Sequence, residues 1–349
     1  MTEDHKHKNV VMGKGGIWAT VVADSVNVWG DRLTTFRLHY PRIIHSEFMT
    51  HRMFSRNASS SRAIPVSRML AQVQDNPAMP VSWGKNQAGM QAAGEHTQKV
   101  ELPNYDLDND GSVADRYVTA DEAWRESAKA AVYFAEAFGD SGYHKQVANR
   151  LLEPYQFMNV LMSTTDIENF FHLRCHEAAD PTIEELAKVI RLAYNQSKPI
   201  TLRYGEWHTP YVDRERFRIR NFRTGEYVDK LFYSLYGKRI HIDVEDAKKL
   251  SVSCAAQVSY RSLDTSLDKA KRIFDKLAGE VPIHASPFEH VATPFSEKEY
   301  MMRTSLSRTA QQMKDRYDDV QVDPHQMMYS GNFFGWTQYR KFLPNENIR

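Results

Sequence analysis

The sequence is poor in cysteine and has no long apolar run. Only two cysteines, Cys175 and Cys254, occur in 349 residues, and no Cys-x-x-Cys pair is present. This argues against a disulfide-stabilised scaffold or a zinc site and is typical of the reducing cytoplasm. No apolar run approaches the roughly 20 residues that a membrane span needs, and the start MTEDHKHKNV lacks the apolar core of a signal peptide. We therefore expect a cytoplasmic protein with no membrane partner.

The sequence also lacks a charge excess of either sign. Its formal net charge is +1, so no overall field attracts DNA or an anionic membrane. An anionic ligand must then be bound by a local cluster of basic side chains. The arginine-rich segment RERFRIRNFR (214–223) is one such cluster, and we interpret it as a solvated strand or loop face. Nucleic acid is accordingly not an expected partner.

Hydrophobic periodicity predicts strands first and helices later. Two β-rich runs, 17–26 and 32–40, precede Pro41, and RIIHSEFMTHRMF after it has helical spacing. A Thr-x-x-Glu capping signature predicts that a helix begins at TADEAWRESAKAAVYF. Further helices are expected over 144–152, 156–176, 181–196 and 266–279.

An acidic loop, DLDNDGS (106–112), has the carboxylate spacing with which a calcium loop starts. It lacks the glutamate that should close such a loop six residues after the glycine. We interpret it as a turn, and we expect no metal site.

The stretch THRMFSRNASSSR (50–62) is unusually rich in short hydroxyls and basic side chains. Serine hydroxyls and backbone N–H groups bind oxygens at short range, and the guanidinium fork matches phosphate oxygens. A turn that carries Ser60, Ser61 and Arg62 can therefore cradle a phosphate. On spacing alone, a solvated polar turn with surface arginines is the favoured interpretation of the same residues.

The same stretch resembles the signature of flavin-dependent thymidylate synthases, Arg-His-Arg followed by seven residues and a serine. Here it reads Thr50-His51-Arg52 and then Ser60. HASPFEH (284–290) resembles the family's His-x-Ser/Thr-Pro-Phe-Glu-His segment, and SCAAQVSYRS (253–262) resembles its Ala-Ala-x-Val-Ser run. Two further segments are similar to helical elements of the family: VANRLLEP (147–154) and NFFHLRCHEAAD (169–180).

The resemblance implies an α+β fold, a mixed β-sheet with a helical bundle, and a homo-oligomer, dimer or tetramer, with shared active sites. The chain is expected to form one composite domain from three segments: 1–112 with the signature, 113–235 with the helices, and 236–349 with the Pro-Phe-Glu-His motif. In the family the last motif precedes the signature, whereas here it follows. The order therefore resembles a circular permutation, with a partial second copy of the signature region in WTQYRKFLPNE (336–346).

The resemblance also implies an activity: transfer of a one-carbon unit from methylenetetrahydrofolate to C5 of a pyrimidine deoxynucleotide monophosphate. FAD is the implied cofactor, with NADPH as its reductant, and dUMP to dTMP is the simplest version. No cysteine nucleophile is needed, because the reduced flavin supplies the reducing power. The positions that match flavin contacts are His51, Arg52, Asn57, Asn169, His284, Ser286 and Glu289.

Arginine and serine positions match the family's substrate site. Two arginines that converge on a nucleotide phosphate give charge-assisted bonds, and Arg174 would stabilise negative charge on the pyrimidine ring. Arg174 and Ser60 are the expected catalytic residues. The expected substrate-binding residues are Ser60, Ser61, Arg62, Arg150 and Arg174.

Four positions depart from the family pattern, and they keep two alternatives open. Thr50 replaces the first arginine of the signature, Ala58 an acidic residue, Ala178 a frequent histidine, and Glu47 a usual glutamine. A charge-assisted bond lost in this way typically costs roughly 1.5–3 kcal/mol. One alternative is a dCMP-specific or hydroxymethyl-forming enzyme with the same chemistry. The other is a non-catalytic nucleotide- or nucleic-acid-binding protein that kept the fold.

Overall fold

The computed structural model describes residues 9–102, 116–259, 263–316, 323–344 and 346–347. The acidic loop 106–112 lies outside these residues. In the ranges described, no helix combines the length and the apolar character that crossing a bilayer requires.

The two longest described strands, β2 and β3, have 10 residues each and lie near the amino terminus. In chain order the described strands are β1 Val11–Met12, β2 Trp18–Asn27, β3 Arg32–Pro41, β4 Ser55–Ala58, β5 Val100–Leu102, β6 Arg116–Val118, β7 Phe157–Thr164, β8 Ile200–Leu202, β9 Val212–Arg220, β10 Tyr227–Leu235, β11 His241–Ile242, β12 Ala292–Pro294, β13 Tyr329–Ser330, β14 Phe333–Phe334 and β15 Trp336–Gln338.

The α-helices range from a single turn to more than five turns. They are α1 His45–Met49, α2 Val66–Asp75, α3 Ala120–Asp140, α4 Lys145–Ala148, α5 Glu168–Arg174, α6 Pro181–Gln196, α7 Val244–Ala256, α8 Leu267–Gly279 and α9 Glu297–Arg316. Short 3-10 turns join them, and three of these lie at Arg42–Ile44, Asn149–Tyr155 and Ser286–His290.

A central six-stranded sheet organises the fold. Its order is β1-β2-β3-β7-β4, and β8 pairs with the far end of β2 on the same edge as β1. All neighbours are antiparallel except β8, which is parallel to β2, so the sheet is mixed. The strand that carries the signature, β4, therefore lies at one edge and pairs only with β7 inside this sheet.

Both faces of the central sheet are buried. Because side chains alternate along a strand, Phe36 and Leu38 of β3 face one layer while Leu33 faces the other. The first face packs against α5 and α6, including Ile183 and Leu186. The second face packs against the β9-β10-β11 sheet, α7 and residues such as Trp336. The central sheet is thus the middle layer of the fold.

The helices pack in pairs on different sides of the sheet. The pairs are α5 with α6, α7 with α8, and α2 with α3. The last pair closes its own small core over the 3-10 turn Asn149–Tyr155. The α+β class with a mixed sheet is confirmed, and the expected helical bundle takes the form of these separate pairs.

Helices with strong end signals are where the sequence predicts them. Thr119 caps α3 through a complete capping box with Glu122, and Asp180 caps α6 ahead of its first residue, Pro181. Strands β2 and β3 and helix α8 also match the predicted ranges 17–26, 32–40 and 266–279 within about two residues.

The prediction of a helix over 156–176 is wrong. Residues 157–164 form β7, a central strand, and only Glu168–Arg174 is helical. Both faces of β7 are buried, with Met158, Val160 and Met162 on one side and Leu161 on the other. Such a strand reads as a continuous apolar run, which periodicity cannot distinguish from a buried helix. The helix expected after Pro41 is likewise reduced to the short α1.

We predict that the burial of Phe36 in the first layer of the core contributes strongly to stability. Phe36 is fully buried, whereas Phe222 is 98% exposed in the β9–β10 connection. Phe36→Ala should lower the free energy of unfolding by about 3–5 kcal/mol, because it leaves a cavity between sheet and helices. Phe222→Ala, the matched control, should change it by less than about 0.5 kcal/mol. Urea unfolding measures both, and similar losses in the two variants would contradict the layer assignment.

Candidate functional site

The Thr-His-Arg motif lies in the turn between α1 and β4, and Arg56 holds this turn in place. Nη1 of Arg56 donates to the backbone carbonyl oxygens of Phe48, Met49 and His51 at 3.3, 3.0 and 3.1 Å. These carbonyls lie at and just beyond the carboxyl end of α1, where acceptors lack helical partners and a positive charge is favourable. Arg56 thus fixes the backbone that carries His51 and Arg52.

Four of the expected site residues line one cavity of about 210 Å³. His51 and Arg52 reach it from the turn, and Asn169 and Arg174 reach it from α5. The ring of Phe170 packs edge-on against His51, with centroids 4.8 Å apart, and so fastens α5 to the turn. The fold therefore brings together motif residues that are more than a hundred positions apart, 123 in the case of Arg174 and His51.

Arg174 is held by two partners. Its Nε donates to Nε2 of His51 at 3.0 Å, and its Nη1 donates to Oε2 of Glu47 at 3.2 Å. Burial, then the charges of Arg174 and Arg56, lowers the pKa of His51 to about 4, so the ring is neutral at pH 7. Glu47, at the position where the resemblance predicts a glutamine, forms an ion pair with Arg174.

Strand β4 contacts both of the distant motif segments. Asn57 donates from Nδ2 to the carbonyl oxygen of Ala255 at 3.4 Å, and its Oδ1 lies 3.2 Å from Nε2 of His290. The backbone N–H of Ser60 donates to Oγ of Ser259 at 2.9 Å. The signature therefore meets the Ala-Ala-x-Val-Ser and Pro-Phe-Glu-His segments in space, although nearly two hundred residues or more separate them in sequence.

The signature's last two matched residues lie beside each other. Oγ of Ser60 accepts from the backbone N–H of Arg62 at 3.3 Å, so the Ser60 hydroxyl hydrogen stays available to an acceptor. The side chain of Arg62 is exposed, and within the described part of the chain it makes no hydrogen bond. Neither residue lines the 210 Å³ cavity.

Two further residues expected to bind the phosphate, Ser61 and Arg150, contact the carboxylate of Glu153. Oε1 of Glu153 accepts from Oγ of Ser61 at 3.1 Å, from Nη1 of Arg150 at 2.8 Å, and contacts Nη2 of Arg42 at 2.9 Å. Three donors thus converge on one oxygen, as they would on an anionic ligand. A phosphate that bound these donors would have to displace Glu153.

The expected flavin-contacting residues of the Pro-Phe-Glu-His segment differ in burial. Glu289 is half-buried and forms an ion pair with Arg340 of the carboxyl-terminal region. Ser286 is exposed, and the side chain of His284 is 73% exposed, with Glu280 4.0 Å away. Within one copy of the chain, His284 and Ser286 therefore do not line the 210 Å³ cavity.

A larger cavity of about 1040 Å³ adjoins the small one, since Met53 and Asp166 line both. Arg32 forms part of its wall, fixed by two bonds to Asp24 at 2.9 and 2.6 Å and stacked 3.7 Å above the ring of Tyr194. Its remaining lining comes largely from residues 323–334. This volume is at the upper end of the range of about 300–1,000 Å³ that ligand sites usually have.

Neither cysteine is an activated nucleophile. Cys254 is buried, and burial raises its pKa well above the usual range. Partial burial also raises the pKa of Cys175. Both thiols are therefore protonated at neutral pH, and only the thiolate is a good nucleophile.

The arginine-rich segment 214–223 is not a continuous basic face. Most of it forms β9, in which Arg214 is buried in the core, Arg216 pairs with Glu206, and Arg218 lies over the ring of Tyr227. Its alternate residues are thus committed to contacts within the fold. The interpretation as a strand face is confirmed, with the qualification that Arg214 is buried rather than solvated.

Sequence reasoning missed three residues that shape the site. Arg56 caps α1, Glu153 gathers the predicted phosphate donors, and Arg340 pairs with Glu289. A signal existed for Arg56, because a basic residue soon after a helix end is a common cap. For Glu153 nothing local distinguishes the residue from an ordinary surface charge. Arg340 lies in the segment 336–346 that resembles a second copy of the signature, but nothing there predicts its pairing with Glu289.

Comparisons with known proteins give partial similarities only. No protein-family model matches the chain, and no curated protein matches its sequence. A flavin-dependent thymidylate synthase from Helicobacter pylori, solved with FAD and dUMP, is 17% identical, with a TM-score of 0.29 over 46% of this chain and 67% of that one. A UMP/dUMP methylase from Streptomyces cacaoi bound with 5-bromo-UMP is 14% identical, with a TM-score of 0.35 over 52% of this chain and 90% of the other. With TM-scores below 0.5, these similarities by themselves assign neither fold nor activity to this chain.

We predict that the buried His290 makes stability acid-sensitive. Burial lowers its pKa to about 3, whereas an unfolded histidine titrates near 6.5. Between these values the unfolded chain binds a proton that the folded chain does not. The free energy of unfolding should therefore fall as the pH drops below about 6.5, with His290 contributing about 1.4 kcal/mol per pH unit.

The measurement is urea unfolding between about pH 5 and 7. His290→Gln should be less stable at neutral pH but should show a shallower pH dependence than the natural protein. His96→Gln, which alters an exposed histidine, is the matched control and should keep the original slope. A His290→Gln slope as steep as that of the control would contradict the prediction.

Proposed function

We propose that this protein is a flavin-dependent enzyme that transfers a one-carbon unit from methylenetetrahydrofolate to C5 of a pyrimidine deoxynucleotide monophosphate, in its simplest version from dUMP to dTMP. The observation that carries the proposal is the convergence of the family-like segments. His51, Arg52, Asn169 and Arg174 line one cavity, and β4 beside it contacts Ala255 and His290. Segments that resembled the family only by chance would not be expected to lie next to one another in the fold.

The donor set of the small cavity suits a flavin. Arg52 and Asn169 line it, and neither side chain is used in a hydrogen bond within the described residues. Guanidinium and carboxamide N–H groups match the carbonyl oxygens of an isoalloxazine ring and the oxygens of a pyrophosphate. The adjoining cavity offers room for the remainder of FAD or for the folate. FAD, when bound and reduced by NADPH, supplies the reducing equivalents for the transfer.

Arg174 is the residue we assign to charge stabilisation. His51 and Glu47 each accept a hydrogen bond from its guanidinium, which leaves its other N–H groups for a ligand in the cavity that Arg174 lines. A fixed cation next to a pyrimidine carbonyl stabilises the negative charge that develops on the ring when C5 reacts. Because burial raises the pKa of both thiols, neither cysteine is activated for a covalent intermediate.

Ser60, Ser61, Arg62 and Arg150 are proposed to bind the nucleotide phosphate. Ser60 keeps its hydroxyl hydrogen, and Arg62 keeps its guanidinium donors. Ser61 and Arg150 already share Glu153 as an acceptor, so the phosphate would take over the position of that carboxylate. Ser60 is also retained as the second catalytic residue, through the donor it offers to the bound nucleotide.

The proposed assembly is a homo-oligomer, dimer or tetramer, in which one chain completes the site of another. His284 and Ser286 are exposed and lie outside the small cavity of their own copy, so a flavin contact by these residues would be made across an interface. Within one copy, we propose a single composite domain. Strand β7 of the segment 113–235 pairs with β3 and β4 of the segment 1–112, and His290 of the third segment bonds to Ser163 of β7.

A dCMP-specific version is the second candidate, and Glu47 favours it. A carboxylate only accepts hydrogen bonds, and it accepts well from the exocyclic amino group of cytosine. Glu47 lies beside Arg174, where the family has a glutamine that can both accept and donate. Both candidates use the same flavin and folate chemistry.

The test of the proposed function is flavin binding followed by a single turnover. Purified protein should retain or take up FAD, with visible absorbance that is released on denaturation. With NADPH and methylenetetrahydrofolate it should add a one-carbon unit to dUMP or dCMP, identified by the product mass. A colourless protein that does not take up added FAD would instead favour a non-catalytic binding protein.

Arg174→Ala should separate chemistry from cofactor binding. We expect turnover to fall by about 10²–10³-fold, the usual cost of losing a positioned donor to a developing negative charge. Bound FAD should be retained, because Arg52 and Asn169 remain. Arg125→Ala is the matched control, since Arg125 is an exposed arginine on α3 paired with Asp121. Full turnover in Arg174→Ala would refute the assigned role.

A further inference from the structure

A buried network of hydrogen bonds crosses the interface between the central sheet and the second layer. We name it the His208–His290 network. Five of its members are fully buried, and the arginine at one end is only 8% exposed. In order, its members are Asn57, His290, Ser163, Thr35, His208, Ser25 and Arg214.

The half nearest the signature runs from Asn57 to Thr35. Oδ1 of Asn57 lies 3.2 Å from Nε2 of His290, and Nδ1 of His290 lies 2.8 Å from Oγ of Ser163. Oγ of Ser163 lies 2.6 Å from Oγ1 of Thr35. Strands β3, β4 and β7 each contribute one of these polar side chains.

The other half continues to a buried cation. Oγ1 of Thr35 lies 2.8 Å from Nε2 of His208, and Nδ1 of His208 lies 2.8 Å from Oγ of Ser25. Nη1 of Arg214 donates to the same Ser25 oxygen at 2.6 Å, and its Nη2 donates to the carbonyl oxygen of Asp24 at 3.2 Å. Arg214 thus closes the network on β9.

The position of each proton follows from the Asn57 end. Asn57 Nδ2 faces the carbonyl oxygen of Ala255, which only accepts, so Oδ1 faces His290. His290 must therefore carry its hydrogen on Nε2. Burial keeps its pKa near 3, so the ring is neutral and its bare Nδ1 accepts from Ser163.

The remaining protons follow in turn from one hydrogen-bond partner to the next. Ser163 has given its hydrogen to His290, so Thr35 must donate to Ser163 and His208 Nε2–H must donate to Thr35. Burial, and then the charge of Arg214, lowers the pKa of His208 well below its usual value. Its bare Nδ1 accepts from Ser25, whose oxygen is left to accept from Arg214, the only role an arginine permits. Both ends therefore require the same order.

We propose that the His208–His290 network is ordered in this single direction and that it positions the carboxamide of Asn57 for ligand binding. Oδ1 of Asn57 is held by His290, one Nδ2 hydrogen points to Ala255, and the second Nδ2 hydrogen is left for a ligand acceptor such as a flavin carbonyl oxygen or ring nitrogen. His290, Ser163, Thr35, His208, Ser25 and Arg214 are thus positioning residues. The role of Asn57 toward flavin depends on the proposed function, whereas the proton order does not.

The proton order can be read directly from the full-length protein labelled with ¹⁵N-histidine. Long-range nitrogen–proton spectra distinguish Nε2–H from Nδ1–H rings, and His208→Gln and His290→Gln identify the two signals. Both rings should be single, neutral Nε2–H tautomers. A neutral Nδ1–H form, or a mixture, at either histidine would overturn the proposal.

Thr35→Val tests the positioning role, because valine keeps the shape and removes the central hydroxyl. We expect His208 to change tautomer, since its Nε2–H loses its acceptor, the side-chain amide signal of Asn57 to shift, and the Kd for FAD to rise about tenfold, the equivalent of about 1.4 kcal/mol. Thr209→Val is the matched control, because Oγ1 of Thr209 is buried next to His208 and has no partner among the described residues.

The positioning role would be overturned if Thr35→Val left the tautomers, the Asn57 amide signal or the FAD affinity unchanged. Equal changes in Thr209→Val would also overturn it. If Thr35→Val does not fold, Ser163→Ala takes its place, with Ser251→Ala as control for an unpartnered buried hydroxyl. A natural protein that binds no FAD would refute the proposed function. The tautomers and the Asn57 signal would then still decide whether the network is ordered and holds the carboxamide.

Discussion

The pairing of the short edge strand β4 with β7 is the contact on which the candidate site depends. β4 follows the Thr-His-Arg turn, and β7 leads into α5, which carries Asn169 and Arg174. The pairing therefore sets the distance between the turn and α5, and Phe170 fills the space between them. The same strand reaches Ala255 and His290 through Asn57. If β4 slipped by one residue, every side chain would change face and these contacts would be lost together.

Several basic side chains of the site are paired within the chain, whereas Arg52 and Arg62 have no carboxylate partner among the described residues. The paired arginines are Arg174 with Glu47, Arg150 with Glu153, and Arg340 with Glu289. This agrees with a net charge of only +1, and it means that an anionic ligand gains little from the overall field. At Ser61 and Arg150, an anionic ligand would have to offer oxygens that replace the Glu153 carboxylate at the same place. Such a site discriminates by shape and donor pattern more than by charge.

Features encoded locally could be read from the sequence, and features that depend on distant contacts could not. The capped helices α3 and α6 were predictable, because Thr119 and Asp180 satisfy backbone N–H groups within their own turn. β7 was not, because its burial on both faces is created by layers from elsewhere in the chain. Likewise, the motif residues His51, Asn169 and Arg174 were identified as one site from resemblance, whereas the Glu153 cluster and the burial of Arg214 follow only from tertiary packing.

The most direct measurement is a crystal structure of the protein with FAD and a pyrimidine deoxynucleotide monophosphate. We expect an isoalloxazine ring and a pyrimidine stacked next to His51, Asn169 and Arg174, with the nucleotide phosphate near Ser60 and Arg62. Ligands bound elsewhere on the molecule, or no binding of either ligand at saturating concentration, would contradict it.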